Sequence, residues 1–208
     1  MSDLVPPNSG SLLSKHRIEA LSDGVFAVVM TLLVLEIKPD LEPHSGDEAV
    51  RHVLANLARP FLAFAFAFLL SCVFWNLHRR KFSMLRHTNP VHTGLTLAFL
   101  FAVTLLPVSV SIFLRAMSSY LAQTVYYGNF TLIALPLLLS WLYAQRAGLV
   151  DPDHSAAVKN QLTRRMVAIT TLGLIATTSY FFGIPSLLLL ALPVILYFRL
   201  KKTTPATP

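Results

Sequence analysis

One cysteine stands in the whole sequence, Cys72, and it lies inside an apolar run. No intramolecular disulfide can form, and without a Cys-x-x-Cys pair a thiolate metal site has no ligands. Charge is scarce too: Asp, Glu, Lys and Arg make up 13% of the residues, against roughly a quarter in soluble domains. Acidic residues are the scarcest, 10 against 17 basic ones, and the apolar runs carry none at their centres. Seven histidines are present, but no His-Glu-x-x-His joins them, so no fixed metal site is expected. No Ser-His-Asp order, Walker loop or paired carboxylate stands out, which leaves catalysis without residues and gives no reason to expect a cofactor.

What the sequence has instead is apolar bulk. It is 54% hydrophobic, with a mean hydropathy of +0.61, and several runs reach the length a bilayer requires. The reading is an all-α, polytopic membrane protein with six transmembrane helices. The spans are expected at Ile18–Ile37, Phe61–Leu77, Thr93–Leu114, Tyr120–Tyr143, Met166–Phe182 and Pro185–Phe198. Pro107 should kink the third, Pro136 lies in the fourth, and Gly183-Ile184-Pro185 should turn the last two into a hairpin. Asp151-Pro152-Asp153 marks a loop before the fifth.

The net charge of +7 does not point to nucleic acid, because Lys and Arg flank the apolar runs and form no basic stripe. Their distribution sets an orientation instead. Placing both termini in the cytoplasm leaves only Lys38, Arg51, Arg59 and Arg115 outside, as the positive-inside bias requires. Arg79-Arg80-Lys81 then reads as cytoplasmic anchoring against lipid headgroups, and Arg115, Trp141 and Tyr143 as interfacial residues. Residues 1–16 form a polar, proline-bearing tail with no cleavable signal, 17–202 the membrane domain, and 203–208 a disordered end. The localisation expected is a bacterial inner membrane, multi-pass, with lipids as partners.

The first apolar run, Arg17 to Pro39, carries the sharpest signal. Arg17, Glu19 and Asp23 sit in its opening turns, directly before an uncharged stretch from Gly24 to Leu35. A carboxylate at the mouth of such a helix needs a partner or water. Asp23 is therefore expected to bond Arg17 of the same or a neighbouring helix, and polar groups near Trp75, Asn76 and His78. Further along, Val28, Thr31, Leu32 and Leu35 stand at i, i+3, i+4 and i+7, one apolar stripe interrupted by a single hydroxyl. Two readings stay open. Four copies could meet round an axis, stacking rings of valine, threonine and leucine; or Ala20, Gly24, Ala27 and Thr31 could be a close-packing seam, with Thr31 bonded to a carbonyl one turn back.

Arg17-x-x-x-Leu21-Ser22-Asp23, followed by Gly24-Val25-Phe26-Ala27 and Thr31-Leu32-Leu33-x-Leu35, resembles the first-helix pattern of the transmembrane protein 175 family of potassium channels. The family pattern has Phe where this chain has Leu21. The segment Phe74-Trp75-Asn76-Leu77-His78-Arg79-Arg80 resembles the family's pattern after its second helix. The resemblance implies a homotetramer passing potassium ions between four first helices. Its constriction positions fall on Val28, Leu32 and Leu35 and its hydroxyl layer on Thr31; Arg17, Ser22, Asp23, Trp75, Asn76 and His78 form a supporting polar network. The filter implied is hydrophobic. In agreement, Thr-Val-Gly-Tyr-Gly is missing, and Tyr126-Tyr127-Gly128 has neither its order nor a re-entrant flank.

A narrow apolar ring forces a cation to shed water, and sodium holds its shell more tightly than potassium, so such a ring favours potassium modestly. The function expected is a potassium-selective leak channel. The alternative is a secondary, proton-coupled cation transporter using Asp23, a class that usually carries polar or broken-helix sites near the midplane. His78, which can titrate near neutrality, could gate the network or simply sit at the interface.

Overall fold

The computed structural model describes residues 9–37 and 46–178. Among these, every regular element is helical: α1 Ser9–Leu32, α2 Asp47–Ser83, α3 Pro90–Thr104, α4 Leu106–Arg115, α5 Tyr120–Arg146 and α6 Ala156–Thr178. A 3-10 turn, Leu33–Glu36, continues α1. Four stretches are long and apolar enough to cross a bilayer: Lys15–Glu36, Pro60–Ser83, Pro90–Arg115 and Tyr120–Arg146. They match the first four expected spans. The fifth begins within α6, while Phe182, the Gly183-Ile184-Pro185 turn and the span Pro185–Phe198 lie outside the described residues.

The boundaries teach more than the matches. α2 starts at Asp47, fourteen residues before the expected Phe61, so Pro60 lies inside the helix. Asp47 and Glu48 in the first turn complement the positive end of the helix, which lets its polar portion form ahead of the membrane segment. α6 likewise begins ten residues early, at Ala156, through a polar run invisible to hydropathy.

Pro107 does more than kink the third span. The helix breaks at Leu105, and Pro107 sits at the head of α4, where its missing N–H does no harm. The break is repaired from α5: Asn129 Nδ2 donates to the Ala102 carbonyl at 3.0 Å, and Ser109 Oγ donates to Asn129 Oδ1 at 3.1 Å. Irregular backbone at this depth persists only where protein groups satisfy it.

α5 is the hub, packed against α3, α4 and α6. Between hydrocarbon-rich helices cohesion comes from close packing and not from water exclusion. Phe74 and Phe130 meet at 5.1 Å and Phe26 and Phe99 at 5.8 Å between ring centres. α6 approaches α5 so closely that a Cβ on Gly173 would stand 2.8 Å from both Phe130 Cδ1 and Thr131 Oγ1. The Thr131 and Thr177 hydroxyls, 3.0 Å apart, bond across the same seam.

Trp141 is a correction. Expected at the membrane interface, it is fully buried, and its Nε1 donates to Thr163 Oγ1 at 2.8 Å. The indole found a protein acceptor, so it had no need of a headgroup. At the same end, the α2–α3 and α5–α6 turns are stapled by a bridge between Leu85 and Val150 and an Arg86–Asp151 ion pair at 3.1 Å. Gly148, at φ +68°, ends α5 in the left-handed conformation that glycine tolerates best.

Candidate pore helix and its polar base

α1 shows two unlike faces. Ile18, Ser22, Phe26, Val29 and Leu33, spaced at three and four residues, are buried against the rest of the chain. Ala20, Leu21, Gly24, Ala27, Val28, Thr31, Leu32 and Leu35 are exposed. Leu35 is 65% exposed, Val28 56% and Leu32 42%. The 3-10 turn matters here. One α-helical step from Val28 to Leu32 drifts round the axis, but i and i+3 eclipse in a 3-10 turn, so Leu35 stacks over Leu32. The four stripe residues thus share one face, about 100° wide, and the small residues Ala20, Gly24 and Ala27 lie on the same exposed side. Among the described residues, no helix covers either the stripe or the seam.

Thr31 Oγ1 donates to the carbonyls of Val28 at 2.8 Å and Ala27 at 3.1 Å. That is the back-bond expected of a packing threonine. It also fixes the rotamer of a side chain on the exposed face.

The base of α1 is held from α2. Ser22, fully buried, donates to the Ile18 carbonyl at 2.7 Å, and His78 Nε2 lies 3.0 Å from its oxygen. Since the hydroxyl proton is committed to Ile18, His78 must carry its proton on Nε2 and donate it. The imidazole is stacked on Phe99 at 5.0 Å and tilted to Phe82 at 4.5 Å. One residue along α1, Asp23 accepts from Trp75 Nε1 at 2.8 Å. The guanidinium of Arg79 lies over that indole, 5.4 Å from the ring centre. Ser22 and Asp23 are neighbours on α1, and Trp75 and His78 are three apart on α2, so the two pairs form a double latch between the helices.

Arg17 does not join it among the described residues. Six residues from Asp23, it points to another side of α1, and the ion pairs among the described residues are His16–Glu19 and Arg86–Asp151. Asn76 is half-buried beside the latch. One further participant, Arg79, reads in the sequence as a basic anchor, yet its spacing four residues after Trp75 places it on the indole face. Lys81 is a correction: it is fully buried, not at a headgroup, and its Nζ donates to Ser140 Oγ at 2.8 Å. His78 is likewise buried, not interfacial.

Comparison with known proteins gives this geometry its context. A family model described as the endosomal/lysosomal potassium channel TMEM175 matches residues 17–107, the stretch holding the stripe and the latch. A potassium channel of Chamaesiphon minutus is 37% identical over 136 residues, 63% of this chain and 66% of that one. A potassium channel of Streptomyces collinus is 30% identical over 162 residues, covering 76% of this chain and 77% of its own length. A crystal structure of a lysosomal potassium-selective channel TMEM175 homolog from Chamaesiphon minutus superposes with a TM-score of 0.74 at 26% identity, over 91% of this chain and 97% of that one. The chain is therefore a member of the TMEM175 family of potassium channels, a family of multi-pass ion channels and not of enzymes.

Proposed function

We propose that this chain is a passive, potassium-selective leak channel in which four copies place α1 round a common axis. The observation that carries the proposal is the uncovered face of α1. An apolar stripe with one hydroxyl layer, left exposed by the described residues of its own protomer, suits a conduit made by several copies. Val28, Leu32 and Leu35 form the apolar constriction, and Thr31 returns part of the coordination a dehydrating potassium ion loses. The potassium-channel relatives support the same permeant ion. No fixed metal site and no cofactor are involved; potassium passes at Thr31 without residing there.

The latch of Ser22, Asp23, Trp75 and His78 sets the tilt and rotation of α1, so that its stripe faces the axis. Arg17, and Asn76 beside the latch, extend this network towards the neighbouring copy. Residues 17–202 form the channel domain, with six spans, both termini in the cytoplasm and tails at 1–16 and 203–208. The bacterial relatives support placement in a bacterial inner membrane.

Reconstitution into liposomes under opposed potassium and sodium gradients tests the reading. A channel gives a reversal potential displaced towards the potassium value with no second solute; flux that demands a proton gradient assigns the chain to coupled transport. Thr31→Val should shift the potassium-to-sodium permeability ratio while assembly persists, and an unchanged ratio removes Thr31 from the filter.

A further inference from the structure

Lys81 is a fully buried lysine with no carboxylate paired to it among the described residues. Lysine is almost never fully buried unless paired, because an isolated ammonium loses far more hydration than packing returns. Among the described residues the ion pairs are His16–Glu19 and Arg86–Asp151, neither of which reaches it. Its Nζ donates one proton to Ser140 Oγ and lies 5.0 Å from the centre of the Phe82 ring, an arrangement that suits a cation. Among the described residues its other two donors have no acceptor.

The surroundings are basic and rich in donors. His92, on α3, is fully buried, meets Phe82 at 5.6 Å, and has no hydrogen-bond partner at either ring nitrogen among the described residues. One of those nitrogens carries a proton in any tautomer. One turn on, the fully buried Thr96 hydroxyl also has no partner among the described residues. His92 is the third residue of α3, whose positive end adds to the local field. Against these donors the cluster offers the Ser140 oxygen and the Nδ1 lone pair of His78. The walls are fixed from α5: Ser140 holds Lys81, and Tyr143, one turn away, accepts from Asn89 Nδ2 at 2.9 Å.

We propose that Lys81, His92 and Thr96 hold a small monovalent anion, chloride in the cell, between α2, α3 and α5. The anion supplies the counter-charge that the described residues do not and accepts the spare donors. It sits one turn from His78, so its occupancy stiffens the support of the α1 latch. The proposal does not depend on α1 lining a pore.

The test uses the purified full chain. Replacing chloride by gluconate at constant ionic strength should lower Tm by about 3 °C or more, and crystals grown in bromide should show an anomalous peak within hydrogen-bonding reach of Lys81 Nζ. Lys81→Met, which keeps the length and removes the charge, should abolish the chloride dependence. Equal Tm in the two salts overturns the proposal, and so does chloride dependence that survives in Lys81→Met. A bromide peak without any chloride effect on Tm marks an adventitious ion only. The bromide experiment stands on the native chain, so the proposal stays testable should Lys81→Met not fold.

Discussion

α1 and α5 are both apolar helices of membrane length, yet the chain uses them in opposite ways. α5 is gripped on several sides: Tyr126, Phe130, Ile133, Leu137, Trp141 and Ala144 are all buried, with α3, α4 and α6 around them. α1 buries one narrow strip, flanked by the half-buried Val25 and Met30, and leaves its opposite face exposed by the described residues. Hydropathy separates a membrane helix from a soluble one but does not tell a scaffold from a working surface. What distinguishes α1 is where its polar residues stand. Ser22 and Asp23 anchor its base to α2, and Thr31 is the only side-chain oxygen between Asp23 and Glu36.

The contrast is sharpest under truncation. Trp141→Ala removes a fully buried indole and its bond to Thr163, and should destabilise the chain by about 3–5 kcal/mol. Leu35→Ala, on the bare face of α1, should stay within about 0.5 kcal/mol for the protomer while raising ion flux through a widened constriction. Thermal unfolding and liposome flux on the two variants read both quantities. Equal losses of stability would erase the distinction between scaffold and working surface.

Smaller effects probe the latch between the two regions. Ser22→Ala leaves His78 Nε2–H buried without an acceptor, at a cost of about 1–3 kcal/mol. Asp23→Ala removes the acceptor of Trp75 at a more exposed position, so it should lose less stability than Ser22→Ala. It should still impair tetramer assembly or conductance, because α1 is then free to rotate. Asp23→Asn keeps an oxygen for the indole and should retain most of the function. Native mass measurement and single-channel recording report the two outcomes, and an Asp23→Ala channel indistinguishable from wild type would leave the latch without a role in conduction.

Much of this was legible in the sequence, for identifiable reasons. The four spans were readable because uncharged runs of that length have few other uses, and the break near Pro107 because proline lacks the donor an α-helix needs. The contacts of Asp23 with Trp75 and of Ser22 with His78 were anticipated as a neighbourhood, since buried polar groups in a membrane helix require partners. Their pairing was not, because it depends on the rotation of α1 against α2. The polar starts of α2 and α6 were missed, as hydropathy measures membrane residence and not helix formation. Lys81 was misplaced for a related reason. In Arg79-Arg80-Lys81 three like residues run together, but successive residues on a helix point about 100° apart, so the third faces the core while Arg79 and Arg80 face out.

The smallest effect belongs to the staple beneath α5, where the α5–α6 turn meets the α2–α3 turn. The Asp153 backbone amide, followed by Arg86, holds the Asp151 carboxyl below its ordinary value. A carboxylate depressed on folding contributes stability that is fully present above its unfolded-state value, about 4, and is lost as pH falls through its folded-state value. Asp151 is open to solvent, so the contribution is slight, and the backbone bonds Arg86 N to Leu149 O and Asp151 N to Met84 O, each 2.9 Å, should hold the turns together without it. Wild type and Asp151→Asn should therefore differ slightly in Tm at pH 6, and the difference should close as the pH is taken below 4. The bare face of α1 contains no part of this staple, so the permeability ratio should not change over the same substitution. A change in that ratio would mean that the scaffold around α5 and the surface of α1 are coupled more tightly than their contacts indicate.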